Sequence, residues 1–294
     1  MTKVKHSSQT ASESRIGFLL ALPALLVFSL IVLYPFLNSI VMSFTDRSLL
    51  RPATQFVGIK NYIRVFSDPN FPTVLKNTFV FVLFGTLCPF LGGLAWALIL
   101  NQKFRSSEVI RGLSLVCWII PSTAIGFLWM WIFHGHYGIL NDFLMSLGII
   151  QEKITWLGRP DTAMVGVIMA KTWQTMPFCM AFILGGLQGV NYEVVESARI
   201  DGAGNFRVFR HVVLPSIRDV LLLVLLLLTI GSIQHFDLLW VMTEGGPARA
   251  TTTLSVEVYN RAFINFRLGE AATVGTFWTI ILMIFGFFYL RKRV

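Results

Sequence analysis

At 294 residues, with 55% hydrophobic and 13% charged, and with a mean hydropathy of +0.69, the chain is far more apolar than a soluble domain, where about a quarter of residues are charged. It reads as a membrane protein. The net charge of +9 does not point to nucleic acid, because the Lys and Arg residues sit at the ends of apolar runs, as membrane topology requires.

Cys88, Cys117 and Cys179 fall inside apolar runs with no CxxC or Cys/His spacing, so they are expected to pack and not to bind metal. No GxxxxGK[ST] occurs, so any ATP hydrolysis is expected in another polypeptide.

In chain order, residues 1–15 form a polar tail carrying Lys3, Lys5 and Arg15. Residues 16–36 are longer than a signal-peptide core and lack an A-x-A cleavage site, and read as a retained first span with Pro23 and Pro35 as kinks or ends. Residues 47–77 lie outside the membrane and are partly helical, with Phe56, Ile59, Ile63 and Phe66 on one face, as in a helix lying on the membrane. The second span, 78–100, contains Pro89 and Gly92-Gly93, suited to a bend and to close helix packing. A short basic connection leads to the third span, 112–133, with Pro121-Ser122 inside it, and a longer polar connection follows. The fourth span, 163–187, is interrupted by Lys171, Gln174 and Pro177. The fifth, 220–241, ends in Gln234, His235 and Asp237, and the sixth, 271–290, precedes Arg291-Lys292-Arg293. Each run suffices to cross roughly 30 Å of hydrocarbon.

The expected fold is therefore an all-α polytopic membrane protein of six transmembrane helices, with a cytoplasmic tail over 1–15 and a six-span domain over 16–294. Six spans place both termini on one side. Placing them inside assigns 13 of the 24 Lys and Arg to the shorter inner segments, which favours cytoplasmic termini.

A Lys or Asp near the bilayer centre costs about 2.5 to 3.5 kcal/mol, so such residues usually face a cavity or a partner. Lys171 and Gln174 share one helix face, and Gln234 and Asp237 share another. At about 1.5 Å per residue, Lys171 lies about 12 Å and Gln234 about 10 Å below the outer ends of their spans, so the two are expected to meet in the outer half of the membrane. Lys171, Trp173, Gln174, Gln234, His235 and Asp237 form the candidate substrate-pathway set, with Trp173 stacking on a sugar face and the others bonding hydroxyls or an anionic group. The competing structural reading pairs Lys171 with Asp237.

Between the fourth and fifth spans lies a charged island, residues 192–215, reading YEVVESARIDGAGNFRVFRHVVLP. Tyr192, Val195 and Ala198 recur on one helix face, with Glu193, Glu196 and Arg199 on another. Asp201-Gly202 breaks that helix, and a second short one carries Phe206, Arg207, Phe209 and Arg210 before Leu214-Pro215 stops it. The expected arrangement is helix, turn, helix.

Glu196-Ser197-Ala198, Gly202 three residues later, then nine residues to Val212-Val213-Leu214-Pro215 resemble the EAA loop of permeases in binding-protein-dependent ABC importers, with Ser and Val in place of Ala and Ile. The segments FVGIKNY and DPNF after the first span, and TEGGP before the last, resemble the carbohydrate branch of that family, the maltose and glycerol-phosphate type.

The resemblance implies a type I ABC importer permease in the cytoplasmic (inner) membrane, one of two membrane subunits, the other a related six-span chain. Two ATP-binding subunits carrying ATP and Mg would dock beneath, and an extracytoplasmic solute-binding protein would deliver the solute. This chain would hold no cofactor and catalyse nothing. By position, Glu196, Ala198, Asp201, Gly202, Ala203, Leu214 and Pro215 would couple to the ATPase, with Glu196 the charged contact, Asp201-Gly202 the turn between the coupling helices and Leu214-Pro215 the hinge back into the membrane. On the residues alone, a self-sufficient ion-coupled transporter with Lys171, His235 and Asp237 as a proton relay stays open. An intramembrane enzyme is disfavoured, since neither HExxH nor GxSxG is present.

Overall fold

In hydrocarbon every backbone N–H and C=O must be satisfied within its own segment, so long apolar runs fold as helices. The computed structural model describes residues 18–51, 53–102 and 104–291. The expected polar tail, the first two residues of the first span, and Lys103, Lys292 and Arg293 lie outside the described residues.

In chain order the helices are α1 (Phe18–Ser43), α2 (Lys60–Phe66), α3 (Phe71–Leu100), α4 (Ser107–Ile119), α5 (Ser122–Ile132) and α6 (Ile139–Ser146). Then come α7 (Pro160–Gln188), α8 (Tyr192–Ile200), α9 (Asn205–Ser216), α10 (Arg218–Ile233), α11 (Asp237–Thr243), α12 (Leu254–Tyr259) and α13 (Leu268–Arg291). Among the described residues, α1, α3, α7 and α13 are each long and apolar enough to cross a membrane. The bent pairs α4/α5 and α9/α10 bring the number to six if each pair counts as one span.

Two of the expected spans are corrected. The third is not one helix: α4 and α5 meet at 98°. Pro121 has no N–H to donate and forces the residue before it out of the helical region, so Ile120 is extended at φ −64°, ψ 133°. The fifth ends as α10 at Ile233 and resumes as α11 at Asp237, with His235 and Phe236 between them outside either helix. The stop expected at Leu214-Pro215 is also displaced. α9 runs through it to Ser216, and the chain turns by 68° at Ile217. The helix tolerates Pro215 because residues Phe209–Val213 widen into a π turn just before it, closed by Leu214 N–H on Phe209 O. The same device, Ser29–Leu33, precedes Pro35 inside α1, closed by Tyr34 N–H on Ser29 O, and the helix runs on through that proline.

The described residues divide into two compact units, 18–68 with 258–291, and 69–257. In the first, the carbonyls left free at the end of α1 are satisfied from elsewhere in the unit. Asn61 Nδ2 donates to Ser43 O (2.9 Å) and Thr45 O (2.7 Å), and Thr273 Oγ1 donates to Ser43 O (3.2 Å). Buried Glu270 accepts from Arg64 Nη1 (3.0 Å), Arg261 Nη1 (2.9 Å) and Arg267 Nη1 (3.4 Å), and Arg261 Nη2 also reaches Asp68 (2.6 Å).

In the second unit α3 crosses α7 closely. A Cβ at Gly93 would lie 2.3 Å from Cys179 Cβ and 3.0 Å from two α7 backbone atoms, so only glycine fits. At Gly92 a Cβ would meet only the flexible side chain of Met176, 2.7 Å from its Sδ. Two apolar cores follow from this crossing. One gathers Phe90, Ala97, Cys179, Ile183 and Leu228, and the other Phe81, Ile125, Phe133, Val167 and Leu238.

Candidate functional site

The break in the third span creates the site. With α4 ended at Ile119 and α5 starting at Ser122, the carbonyl of Ile120 has no helical partner, and Gln174 of α7 supplies one. Gln174 Nε2 donates to Ile120 O and to Ser122 Oγ, both at 3.2 Å. One turn away on the same face, Lys171 is 4% exposed, with its Nζ over the Phe81 ring at 5.3 Å from the centroid. Its stem lies against Gly85, where a Cβ would stand 3.1 Å from Lys171 Cδ and Cε. No carboxylate among the described residues pairs with it.

The second break supplies the third polar group. His235, between α10 and α11, also stacks on the Phe81 ring, at 5.9 Å and 27°. Its carbonyl accepts from Ser255 Oγ (2.8 Å), while its buried Nε2 has no partner among the described residues. The α3 to α10 crossing beside it is held by Thr86 Oγ1 on Ser232 Oγ (3.2 Å) and Ser232 Oγ on Gly85 O (3.2 Å). Lys171, Gln174 and His235 thus line one cleft of about 440 Å³, whose walls include Trp118, Pro121, Ser122, Phe178 and Gly231. At about 1.5 Å per residue, Lys171 is about 16 Å and Gln174 about 21 Å from the start of α7, near the middle of its length.

The structure does not bring the other three candidates to this cleft. Trp173 faces away, edge-on to Trp129 at 6.1 Å, and lines a separate apolar cleft with Val80, Phe84 and Met164. Gln234 and Asp237 are exposed, and the helix break between them removes the shared face that their three-residue spacing implied. The pairing of Lys171 with Asp237 is likewise absent. Sequence reasoning missed Phe81 and Trp118. Each is one aromatic in an apolar run, and the only signal for Phe81 was Gly85 four residues on, on the same face.

The island at 192–215 folds from its own local rules. Asn191 Oδ1 caps α8 by accepting from Glu193 N–H (2.9 Å). At the other end Gly202 adopts φ +83°, its N–H bonds Arg199 O, and Ala203 N–H bonds Ala198 O, both at 3.0 Å, which closes the helix in a Schellman motif. Val195 and Val208 are buried, whereas Glu196, Asp201 and Gly202 are exposed, as are Ile200 and Phe206 on either side of the turn. Leu214 is half-buried and Pro215 exposed within α9. Tyr192 is exposed, so only Val195 and Ala198 of the expected apolar face turn inward.

A family model described as "Binding-protein-dependent transport system inner membrane component" matches residues 90–292. The trehalose/maltose transport system permease protein MalF of Thermococcus litoralis is 33% identical over 283 residues, 95% of this chain and 94% of that one. The sulfoquinovosyl glycerol transport system permease protein SmoG of Agrobacterium fabrum is 34% identical over 266 residues, covering 89% of this chain and 85% of its own. A chain in the crystal structure of a bacterial ABC transporter involved in the import of the acidic polysaccharide alginate superimposes with a TM-score of 0.82 over 97% of this chain and 96% of its own. At 18% identity this is a likeness of fold.

Proposed function

Because this chain belongs to the family of binding-protein-dependent transport system inner membrane components, we propose that it forms half of the pathway of an ATP-driven importer for a carbohydrate or carbohydrate-like solute. It is a permease subunit and not an enzyme. ATP and Mg act on two separate ATP-binding subunits, a related six-span chain supplies the other half of the pathway, and an extracytoplasmic solute-binding protein delivers the solute. Both termini and the 192–215 loop face the cytoplasm.

The observation that carries this reading is the exposed, Schellman-closed turn between α8 and α9, with Glu196, Asp201, Ile200 and Phe206 on its surface. A short helix pair of mixed charge and apolar character is what a groove on an ATPase would seat, and its stiffness suits transmission of rigid-body motion. Ala198, Gly202 and Ala203 hold the turn, and Leu214-Pro215 carries α9 on to the 68° bend at Ile217, where α10 begins.

Lys171, Gln174 and His235 serve the solute pathway, with Trp118 in the stacking role first assigned to Trp173. Lys171 offers its charge to a hydroxyl cluster or an acidic group of the solute. A proton relay through Lys171, His235 and Asp237 is disfavoured, because Asp237 does not line the cleft.

Purifying the chain from native membranes in mild detergent, followed by mass spectrometry of what stays bound, tests the proposal. A P-loop ATPase and a second six-span permease are expected. A chain that purifies only with itself, and transports without ATP, overturns it.

A further inference from the structure

A third cleft, of about 700 Å³, lies within the unit formed by residues 18–68 and 258–291. Five cations line it, Arg47, Arg51, Lys60, Arg64 and Arg267, against only Asp46 and Glu270. Both carboxylates are already engaged. Asp46 Oδ1 accepts from Gln55 N–H (2.6 Å), and buried Glu270 holds three arginines. Glu270 thereby orients Arg64 and Arg267 while their side chains remain 60% and 62% exposed, which leaves guanidinium N–H groups facing the cleft. Arg47, Arg51 and Lys60 have no ion-pair partner among the described residues.

The depth of the cleft follows from its bonds. Asn61 is tied to the last carbonyls of α1, and Gly269 N–H at the start of α13 donates to Arg47 O (3.0 Å). The cleft therefore sits where α1 ends and α13 begins. α1 is 26 residues long. At about 1.5 Å per residue that is about 39 Å, against roughly 30 Å of hydrocarbon, so this end reaches headgroup depth.

Around the cations stands an apolar skirt. Leu50, Phe56, Ile59 and Ile63 are each more than half exposed, and on α2 the pair Lys60/Arg64 lines the cleft while Ile63 does not. We propose that this cleft binds the phosphate of an anionic phospholipid, with its acyl chains against the skirt. The acidic surface of a soluble protein would match the charges, but it would leave large apolar side chains exposed at the level of the lipid.

The test reconstitutes the whole transporter in phosphatidylcholine vesicles with and without phosphatidylglycerol, and measures by native mass spectrometry the phosphatidylglycerol retained after extraction. Each Lys or Arg near an anionic surface contributes about fivefold, so Arg47→Gln, Arg51→Gln and Lys60→Gln together should weaken retention roughly a hundredfold. Lys76→Gln with Arg159→Gln, which removes two exposed cations elsewhere, should leave it unchanged. Excess inorganic phosphate should not displace the lipid, since its acyl chains also contribute; displacement would reassign the cleft to a free anion. Equal retention in all variants overturns the proposal. So does a triple variant that keeps the lipid but loses stimulation of the ATPase by the solute-binding protein in phosphatidylcholine alone, which would mark a protein-docking surface.

Discussion

Lys171 is 4% exposed with an aromatic ring and no carboxylate for company, an arrangement that costs stability and so implies a use. Replacing it with methionine keeps the stem that lies on Gly85 and removes the charge. Lys171→Met is therefore expected to raise the thermal stability of the assembled transporter, by up to about 3 kcal/mol, while abolishing uptake. Uptake into proteoliposomes and a melting curve on the same preparation check both halves. Normal transport would remove Lys171 from the pathway. The importance of this residue was readable from the chain, because a lysine inside an apolar run stands out. Phe81, which carries both Lys171 and His235, was not, because an aromatic among aliphatics has the same appearance whether it packs a core or props a cation.

At the scale of the element, helix content and the positions of apolar runs followed directly from composition, but continuity did not. Pro23, Pro35, Pro89, Pro121, Pro177 and Pro215 are one residue type with several outcomes. Pro89 and Pro177 sit inside unbroken helices, Pro35 and Pro215 follow π turns, and Pro121 divides a span by 98°. Where a carbonyl is freed, its donor comes from another segment, Ser232 Oγ for Gly85 O four residues before Pro89 and Gln174 Nε2 for Ile120 O. Gln174 is the neighbour at Pro121. Gln174→Leu leaves the half-buried Ile120 carbonyl without its partner and should cost about 1 kcal/mol, measured as a lower melting temperature of the complex. A loss of uptake larger than the loss of assembled protein is expected, because the break forms a wall of the cleft. A variant as stable as the parent would show that the break does not depend on this side chain.

For the whole molecule, coupling is the property at stake, and the 192–215 loop gives it a sharp test. Glu196 is exposed and outside the turn's hydrogen bonds, so Glu196→Ala should leave the fold intact. Gly202 stands at φ +83°, which proline's fixed φ of about −65° cannot supply, so Gly202→Pro should destroy the turn itself. Both are expected to separate ATP hydrolysis from uptake in the reconstituted transporter, the second more completely; two fully active variants would defeat the assignment of the loop. The loop's identity was legible because its spacing is set by a local motif: three residues from Ala198 to Asp201, then the glycine. The division of the chain into two units was not legible, since it joins the first helices to the last across nearly two hundred residues. The glycine at the α3 to α7 crossing has one more consequence. Gly93 seats the neighbouring helix so closely on Cys179 that a thiol reagent has no approach while the two helices stay in register. Cys179 is thus a built-in clock for that crossing. Its alkylation rate during turnover, set against those of half-buried Cys88 and Cys117, reports whether the α3 to α7 contact opens in the transport cycle or moves as one body.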